Sequence, residues 1–193
     1  MRGLFDFIVK PHGERYNNSV DVTGGSLILN TEISNYEFIN KIGEVVSTPV
    51  DNKTPITPGS RVAVHHNVFR RWYDIQGNER NSRSYISDDR YLVSNDQLFL
   101  YEQDGNWKAM PGFTFIKPIK SIDAFNVETE RPLVGVVKYN DGTFNKGELV
   151  GFSPNDEFEF VIDGERLYRV MNKYINIKYE YQGDEEEYNP SWA

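Results

Sequence analysis

The chain has 193 residues, 38% hydrophobic and 14% aromatic, enough apolar material for one large or two small domains and too much for wholesale disorder. Its formal net charge of −8 argues against a protein that grips nucleic acid or anionic membrane, since both need a surplus of Lys and Arg. With no cysteine, disulfide staples, thiol nucleophiles and thiolate zinc sites are excluded.

Twelve Tyr and twelve Phe among many Val and Ile, punctuated by 15 Gly and 9 Pro, predict an all-β protein with frequent turns. The opening residues, Met1 to Asp6, break their apolar run too early for a signal peptide, and no run reaches transmembrane length. A cytoplasmic protein is the expectation.

Along the chain, five short patterns recur in the same order. Phe7-Ile8-Val9-Lys10-Pro11 returns as Phe115-Ile116-Lys117-Pro118, and Gly43-Glu44-Val45-Val46 as Gly135-Val136-Val137. Pro58-Gly59-Ser60-Arg61-Val62 is matched by Lys146-Gly147-Glu148-Leu149-Val150, and Arg90-Tyr91-Leu92-Val93 by Arg166-Leu167-Tyr168-Arg169-Val170. Leu98-Phe99-Leu100-Tyr101 and Ile175-Asn176-Ile177-Lys178-Tyr179 close the series. The order predicts a duplication: one small β-barrel over residues 1–104, a second over 111–182, and an acidic, mobile tail over 183–193. Gln103-Asp104-Gly105-Asn106 reads as the joint.

The repeats diverge at one point. Residues 12–42 separate the first two strands of the first unit and only 119–134 those of the second, and long loops are uncommon unless functional or disordered. The longer excursion passes through Gly24-Gly25 into Ser26-Leu27-Ile28-Leu29. From pattern alone, that apolar triplet fits a buried strand as well as an exposed docking element.

A second excursion, Phe69-Arg70-Arg71-Trp72-Tyr73 with Arg80 and Arg83 beyond, interleaves bases and aromatics. Such a composition suits a single-strand nucleic-acid platform or a subunit interface; the acidic total favours the interface. His65-His66, as strand neighbours, would point to opposite faces and share no metal ion. Asp88-Asp89 and Glu185-Glu186-Glu187 fall in a turn and the tail, where solvation leaves carboxylates ordinary. Asp156 to Val161 reads as a half-buried strand. No nucleophile elbow, P-loop or dinucleotide fingerprint occurs, so no enzyme, cofactor or metal is expected.

The first unit resembles the GroES-like co-chaperonin family. Phe7 to Lys10 is similar to the family's opening strand, and Tyr91-Leu92-Val93-Ser94-Asn95-Asp96-Gln97-Leu98-Phe99-Leu100-Tyr101-Glu102 to its closing strand. Gly24-Gly25 followed by Leu27-Ile28-Leu29 resembles its mobile loop, where a glycine pair precedes the apolar tripeptide that docks on the chaperonin. Ser47 to Thr57 is short where many relatives carry a roof hairpin, as in phage-encoded members, and the second unit lacks the triplet. The resemblance implies a ring of copies that caps a GroEL-type chaperonin during ATP-dependent folding. Leu27, Ile28 and Leu29 would be its docking residues, Gly24 and Gly25 the hinge, and Phe69 to Tyr73 the subunit interface. A phage member would work in its host's cytoplasm. The rival expectation is a structural β-protein of a virion, without chaperone activity.

Overall fold

The structure, a computed structural model, describes residues 2–17, 19–23, 25–28, 35–121, 129–154, 156–180, 185–190 and 192; residues 19–22 and 26–28 are described by their backbone. It divides into two compact units, residues 1–106 and 107–193. In the first lie β1 (Phe7–Pro11), β2 (Ser19–Val22), β3 (Gly25–Ile28), β4 (Ile42–Ser47), β5 (Arg61–Val64), β6 (Arg71–Tyr73), β7 (Glu79–Asn81), β8 (Tyr85–Ser87), β9 (Arg90–Val93) and β10 (Leu98–Gln103). Across the division run β11 (Asn106–Ala109), β12 (Phe113–Lys120), β13 (Glu130–Asn140), β14 (Leu149–Phe152), β15 (Phe158–Ile162), β16 (Glu165–Met171) and β17 (Ile175–Lys178). The protein is all-β: among the described residues there is no α-helix, only two 3₁₀ turns, at Asn95–Gln97 and Asn172–Tyr174.

Two antiparallel sheets organise these strands. One runs β11-β10-β5-β4-β1-β9-β8, the other β15-β16-β12-β13-β14-β17. Read from opposite ends, the two orders coincide, with β1 standing for β12, β4 for β13, β5 for β14, β9 for β16, β8 for β15 and β10 for β17. Register coincides too. Lys10 faces Glu44 and Pro11 faces Gly43, as Lys117 faces Val136 and Pro118 faces Gly135. Both ladders slip at the same place, between Ile8 and Val9 and between Phe115 and Ile116. Val62 opposite Tyr101 answers Val150 opposite Lys178, and Val9 opposite Tyr91 answers Ile116 opposite Tyr168. In each unit a 3₁₀ turn leads into the last strand.

The turns repeat to the atom. Gly59 N–H donates to the Val45 carbonyl at 2.7 Å and Gly147 N–H to that of Val137 at 2.8 Å, both glycines at φ +89°. That left-handed backbone is open to Gly and costly for other residues. β-Branched and aromatic residues, with a glycine at this matched reversal in each unit, therefore set the same ladder twice.

Two expectations are corrected. Neither sheet closes on itself among the described residues: each ends in edge strands, so the units are open sheets and not the closed barrels the strand count suggests. Burial nevertheless extends to both faces. In the second unit, Ile116, Val137, Val150 and Val170 pack on one side and Ile119, Val134, Val136 and Leu149 form a separate cluster. At the joint read from Gln103 to Asn106 lies a hairpin turn, Asp104-Gly105, with both residues at positive φ, leading into β11, and the two units divide just beyond it. β15 starts at Phe158, and Asp156 before it is buried, accepting a 2.6 Å bond from the Met171 N–H.

The tail is the second correction. Residues 185–190 are not a free appendage: they hydrogen-bond along the end of β12, where Lys120 N–H donates to the Glu186 carbonyl and Tyr188 N–H to that of Pro118, each at 2.8 Å. Acidic side chains find lysines there, which sequence composition alone does not reveal.

Candidate functional site

The duplication isolates what is unique to the first unit. Among the described residues, two segments of the first unit have no counterpart in the second sheet: the β2–β3 hairpin, between β1 and β4, and the β6–β7 hairpin, between β5 and β8. Both form separate two-stranded sheets.

The β2–β3 hairpin pairs Ser19 with Ile28, Val20 with Leu27, Asp21 with Ser26 and Val22 with Gly25. The resemblance implied a mobile loop here, while the sequence pattern alone fitted a strand equally well; residues 19–22 and 25–28 pair as two strands. The reason is local, because Val20-Asp21-Val22 and Ser26-Leu27-Ile28 are short apolar-bearing runs around a Thr-Gly-Gly turn signal. Gly25 opens β3, and Leu27 and Ile28 lie on it. Gly24 and Leu29 lie outside the described residues.

At the root of this hairpin the chain is clasped. Asn17 N–H donates to the Phe38 carbonyl at 2.7 Å, Tyr16 bridges Ile39, and Asn40 N–H donates to the Arg15 carbonyl at 3.1 Å. Asn40 is buried with its amide in use: Nδ2 donates to the carbonyls of His12 and Glu14 at 2.9 and 2.8 Å, and Oδ1 accepts from Ile42 N–H at 2.8 Å. A buried amide so satisfied fixes one backbone path.

Arg15 and Tyr16 then tie this root to the other hairpin. The Arg15 guanidinium donates to the Phe69 carbonyl at 2.6 Å, to Asn81 Oδ1 at 2.8 Å and to the Arg70 carbonyl at 3.2 Å, while lying 5.3 Å from the Tyr91 ring centre. Tyr16 Oη accepts the Arg71 N–H at 2.8 Å, and the Arg71 guanidinium sits 4.7 Å over the Tyr16 ring, paired with Glu79 at 3.1 Å. Burial pushes the Tyr91 hydroxyl up to about 12 against the pull of Arg15. The two insertions are thus one fastened structure.

The β6–β7 hairpin separates the residues grouped as an interface. Phe69 is fully buried, edge-to-face on Tyr91 with centroids 4.9 Å apart, and its ring borders Gly43. It belongs to the core and is not available to a neighbouring subunit. Arg70 and Arg71 are half-buried. Trp72 and Tyr73 are 45% and 57% exposed, and Ile75 at the tip is completely so. Asp74 sets the tip: its carboxylate accepts the N–H groups of Asn78 and Gln76, at 2.9 and 3.0 Å, and pairs with Arg80 at 2.9 Å. These bonds, that from Asn78 foremost, hold its pKa below the ordinary value.

His65 and His66 lie just past β5, in a turn where the alternation of a strand no longer applies. Their rings stack at 4.2 Å, contrary to the opposite-faces expectation, with Tyr36 5.8 Å from His66 and Phe99 6.1 Å from His65. Burial foremost, then the charges of His65, Lys41 and Arg70, pushes His66 down to about 4. Among the described residues no group of three or more His, Asp or Glu is placed to hold a metal ion. Asp88 and Asp89 form a tight turn at positive φ.

Arg15, Tyr16 and Asn40 are the residues that sequence reading passed over. Their one signal was position, since they flank the long excursion on both sides. Comparison with family models, curated proteins and solved structures finds no match for this chain. No helix among the described residues is long and apolar enough to cross a membrane.

Proposed function

We propose that the chain is a GroES-like co-chaperonin: two related β-modules per subunit, assembled in a ring, docking on a GroEL-type chaperonin through the β2–β3 arm. The observation that carries this reading is the pairing of a twice-repeated sheet with an apolar arm that, among the described residues, the first copy alone bears. The arm is one of two hairpins added to the repeated scaffold, and the one whose sequence carries the apolar run that docking requires.

Leu27, Ile28 and Leu29 are the docking residues of this reading and Gly24-Gly25 its hinge. Burying three such side chains contributes about 4–9 kcal/mol gross, offset by ordering costs of about 1–2 kcal/mol per residue in whatever part of the arm gains order on binding. One arm binds weakly; several on a ring bind tightly through avidity and release together. The exposed Trp72, Tyr73 and Ile75 supply subunit contact in this scheme. β17, an edge strand whose counterpart β10 carries β11 on its outer side, offers a second. The chain takes no cofactor and catalyses nothing itself in this role, and it binds neither nucleic acid nor membrane.

Co-sedimentation with a GroEL-type chaperonin in the presence of ATP tests the proposal. Wild type is expected to sediment with the chaperonin and the Leu27→Asp/Ile28→Asp variant to stay in the supernatant. Equal behaviour of the two removes the docking assignment. The hydrogen-bonded pairing of β2 with β3 favours a second reading, a structural β-protein of a virion, for which incorporation into purified particles is the corresponding test.

A further inference from the structure

The tail lies where a strand would lie. β12 pairs with β16 only as far as Ile116 opposite Tyr168; beyond that point its edge is taken by residues 186–188. Glu187 bridges Ile119 in antiparallel fashion, flanked by the two backbone bonds at Lys120 and Pro118. Side chains specify the segment. Lys117, its side chain 7% exposed, holds Glu187 at 2.6 Å and Glu165 at 3.2 Å, and Lys120 pairs with Glu186. Asn189 clasps the β15–β16 turn from both sides: its Oδ1 accepts the Arg166 N–H at 2.9 Å and its Nδ2 donates to the Gly164 carbonyl at 3.0 Å. Trp192 reaches the Arg166 guanidinium at 5.7 Å. Between tail and sheet remains a cavity of about 270 Å³, lined by Thr129, Glu130, Arg166, Tyr188, Pro190 and Trp192.

From this we infer that the edge of β12 at Pro118–Lys120, with Lys117, Lys120 and the β15–β16 turn, is a strand-addition site for an acidic peptide, filled by the chain's own tail and open to the tail of a second copy. Recognition is by strand pairing, where backbone bonds give affinity and side chains beside them give selectivity. Two lysines demand acids at two successive positions, and the turn demands an amide two residues further on. The tail supplies Glu186, Glu187 and Asn189 in that spacing.

Opening the site is cheap. Glu186 is 69% and Lys120 45% exposed, and ion pairs at the surface contribute little in water. Two backbone bonds, the Asn189 clasp and the Lys117–Glu187 pair remain, and Lys117 keeps Glu165 as a partner when the tail leaves, so the barrier is small beside that of a buried strand. A tail from a second copy would remake every contact without any new side chain, which is the condition for exchanging an element between identical subunits. The inference is independent of the chaperonin reading, because it concerns only the second unit and its own tail.

Carbodiimide, which joins a lysine amine to a carboxylate in contact with it, tests this on the unmodified chain. Isotope-labelled and unlabelled protein are mixed, held at high concentration and cross-linked, and the Lys120–Glu186 peptides are read by mass. Mixed-label pairs are expected alongside same-label ones, falling several-fold in about 1 M salt, where exposed charges are screened. Same-label pairs alone would overturn exchange between copies. Absence of any Lys120–Glu186 or Lys117–Glu187 link would overturn the site itself.

Discussion

Arg15 donates to the Phe69 carbonyl at 2.6 Å, and through that bond the root of one insertion is fixed to the base of the other. The donor is charged and the acceptor carbonyl belongs to a residue buried in the core, a combination that makes for a strong hydrogen bond.

Arg15→Ala is expected to cost about 2 kcal/mol, in the range for hydrogen bonds to charged groups, read as a lowered urea midpoint of the first unit. Tyr16→Phe removes one acceptor from the Arg71 N–H and is expected to cost about 1 kcal/mol. Because both residues serve one junction, the double variant should lose less than the sum, by more than about 0.5 kcal/mol. A strictly additive result would mean that the two hairpins are held independently.

Gly43 and Gly135 make the duplication testable in energetic terms. A Cβ on Gly43 would lie 2.4 Å from Val9 Cγ1; one on Gly135 would lie 2.4 Å from the Lys117 carbonyl oxygen and 2.6 Å from Ile116 Cγ2. These are matching places in the two units, and neither leaves room for a methyl group. Alanine at either is expected to destabilise by about 1–3 kcal/mol, the usual cost of overpacking. The larger loss should fall on Gly135→Ala, since backbone cannot swing aside as a valine methyl can. Thermal unfolding of the two single variants reads both losses.

The order of the five matched strands in each unit was legible because most carry an apolar, β-branched or aromatic run beside a turn signal, and the signals recur in order; β8 and β11 carried none that was read. Lys10-Pro11 with Gly43, and Lys117-Pro118 with Gly135, even mark register. Less local properties were not legible. Whether a sheet closes depends on hydrogen bonds between strands far apart in sequence, and nothing in β8 or β17 announces an edge. Phe69, set beside two arginines, looks like surface until Gly43 is seen to leave a space for its ring. Glu186 and Glu187 look solvated until Lys120 and Lys117 are placed opposite them. In both cases the deciding partner lies dozens of residues away.

The two-residue turns before β9 and β16 differ in a way that stability should register. Asp88 and Asp89 take φ of 47° and 53°, Asp163 and Gly164 take 50° and 79°, and Ser87 faces Arg90 as Ile162 faces Glu165. Such hairpin turns need positive φ at both central residues and favour Asp-Gly. Asp89→Gly is therefore expected to stabilise the first unit by about 0.5–1 kcal/mol, and Gly164→Asp to destabilise the second by a similar amount, since a Cβ in the left-handed region costs about that much. Urea titration of each variant against wild type gives the sign directly.

Acid should loosen the first unit through His66. Its pKa is pushed down to about 4 from an ordinary 6.5 by burial, with His65, Lys41 and Arg70 adding positive charge nearby. Between those two values the unfolded chain binds a proton at this position that the folded chain refuses, so stability falls as pH drops through that window and is unaffected above it. Taken whole, the shift corresponds to about 3 kcal/mol. With the ring only half-buried, solvent screening reduces the expected loss to about 1 kcal/mol. His66→Phe keeps an aromatic ring against His65 and Tyr36 but cannot be protonated. Its urea midpoint is expected to be flatter than wild type between pH 7 and pH 4.5, and parallel curves for the two proteins would show that His66 titrates alike in the folded and unfolded chain.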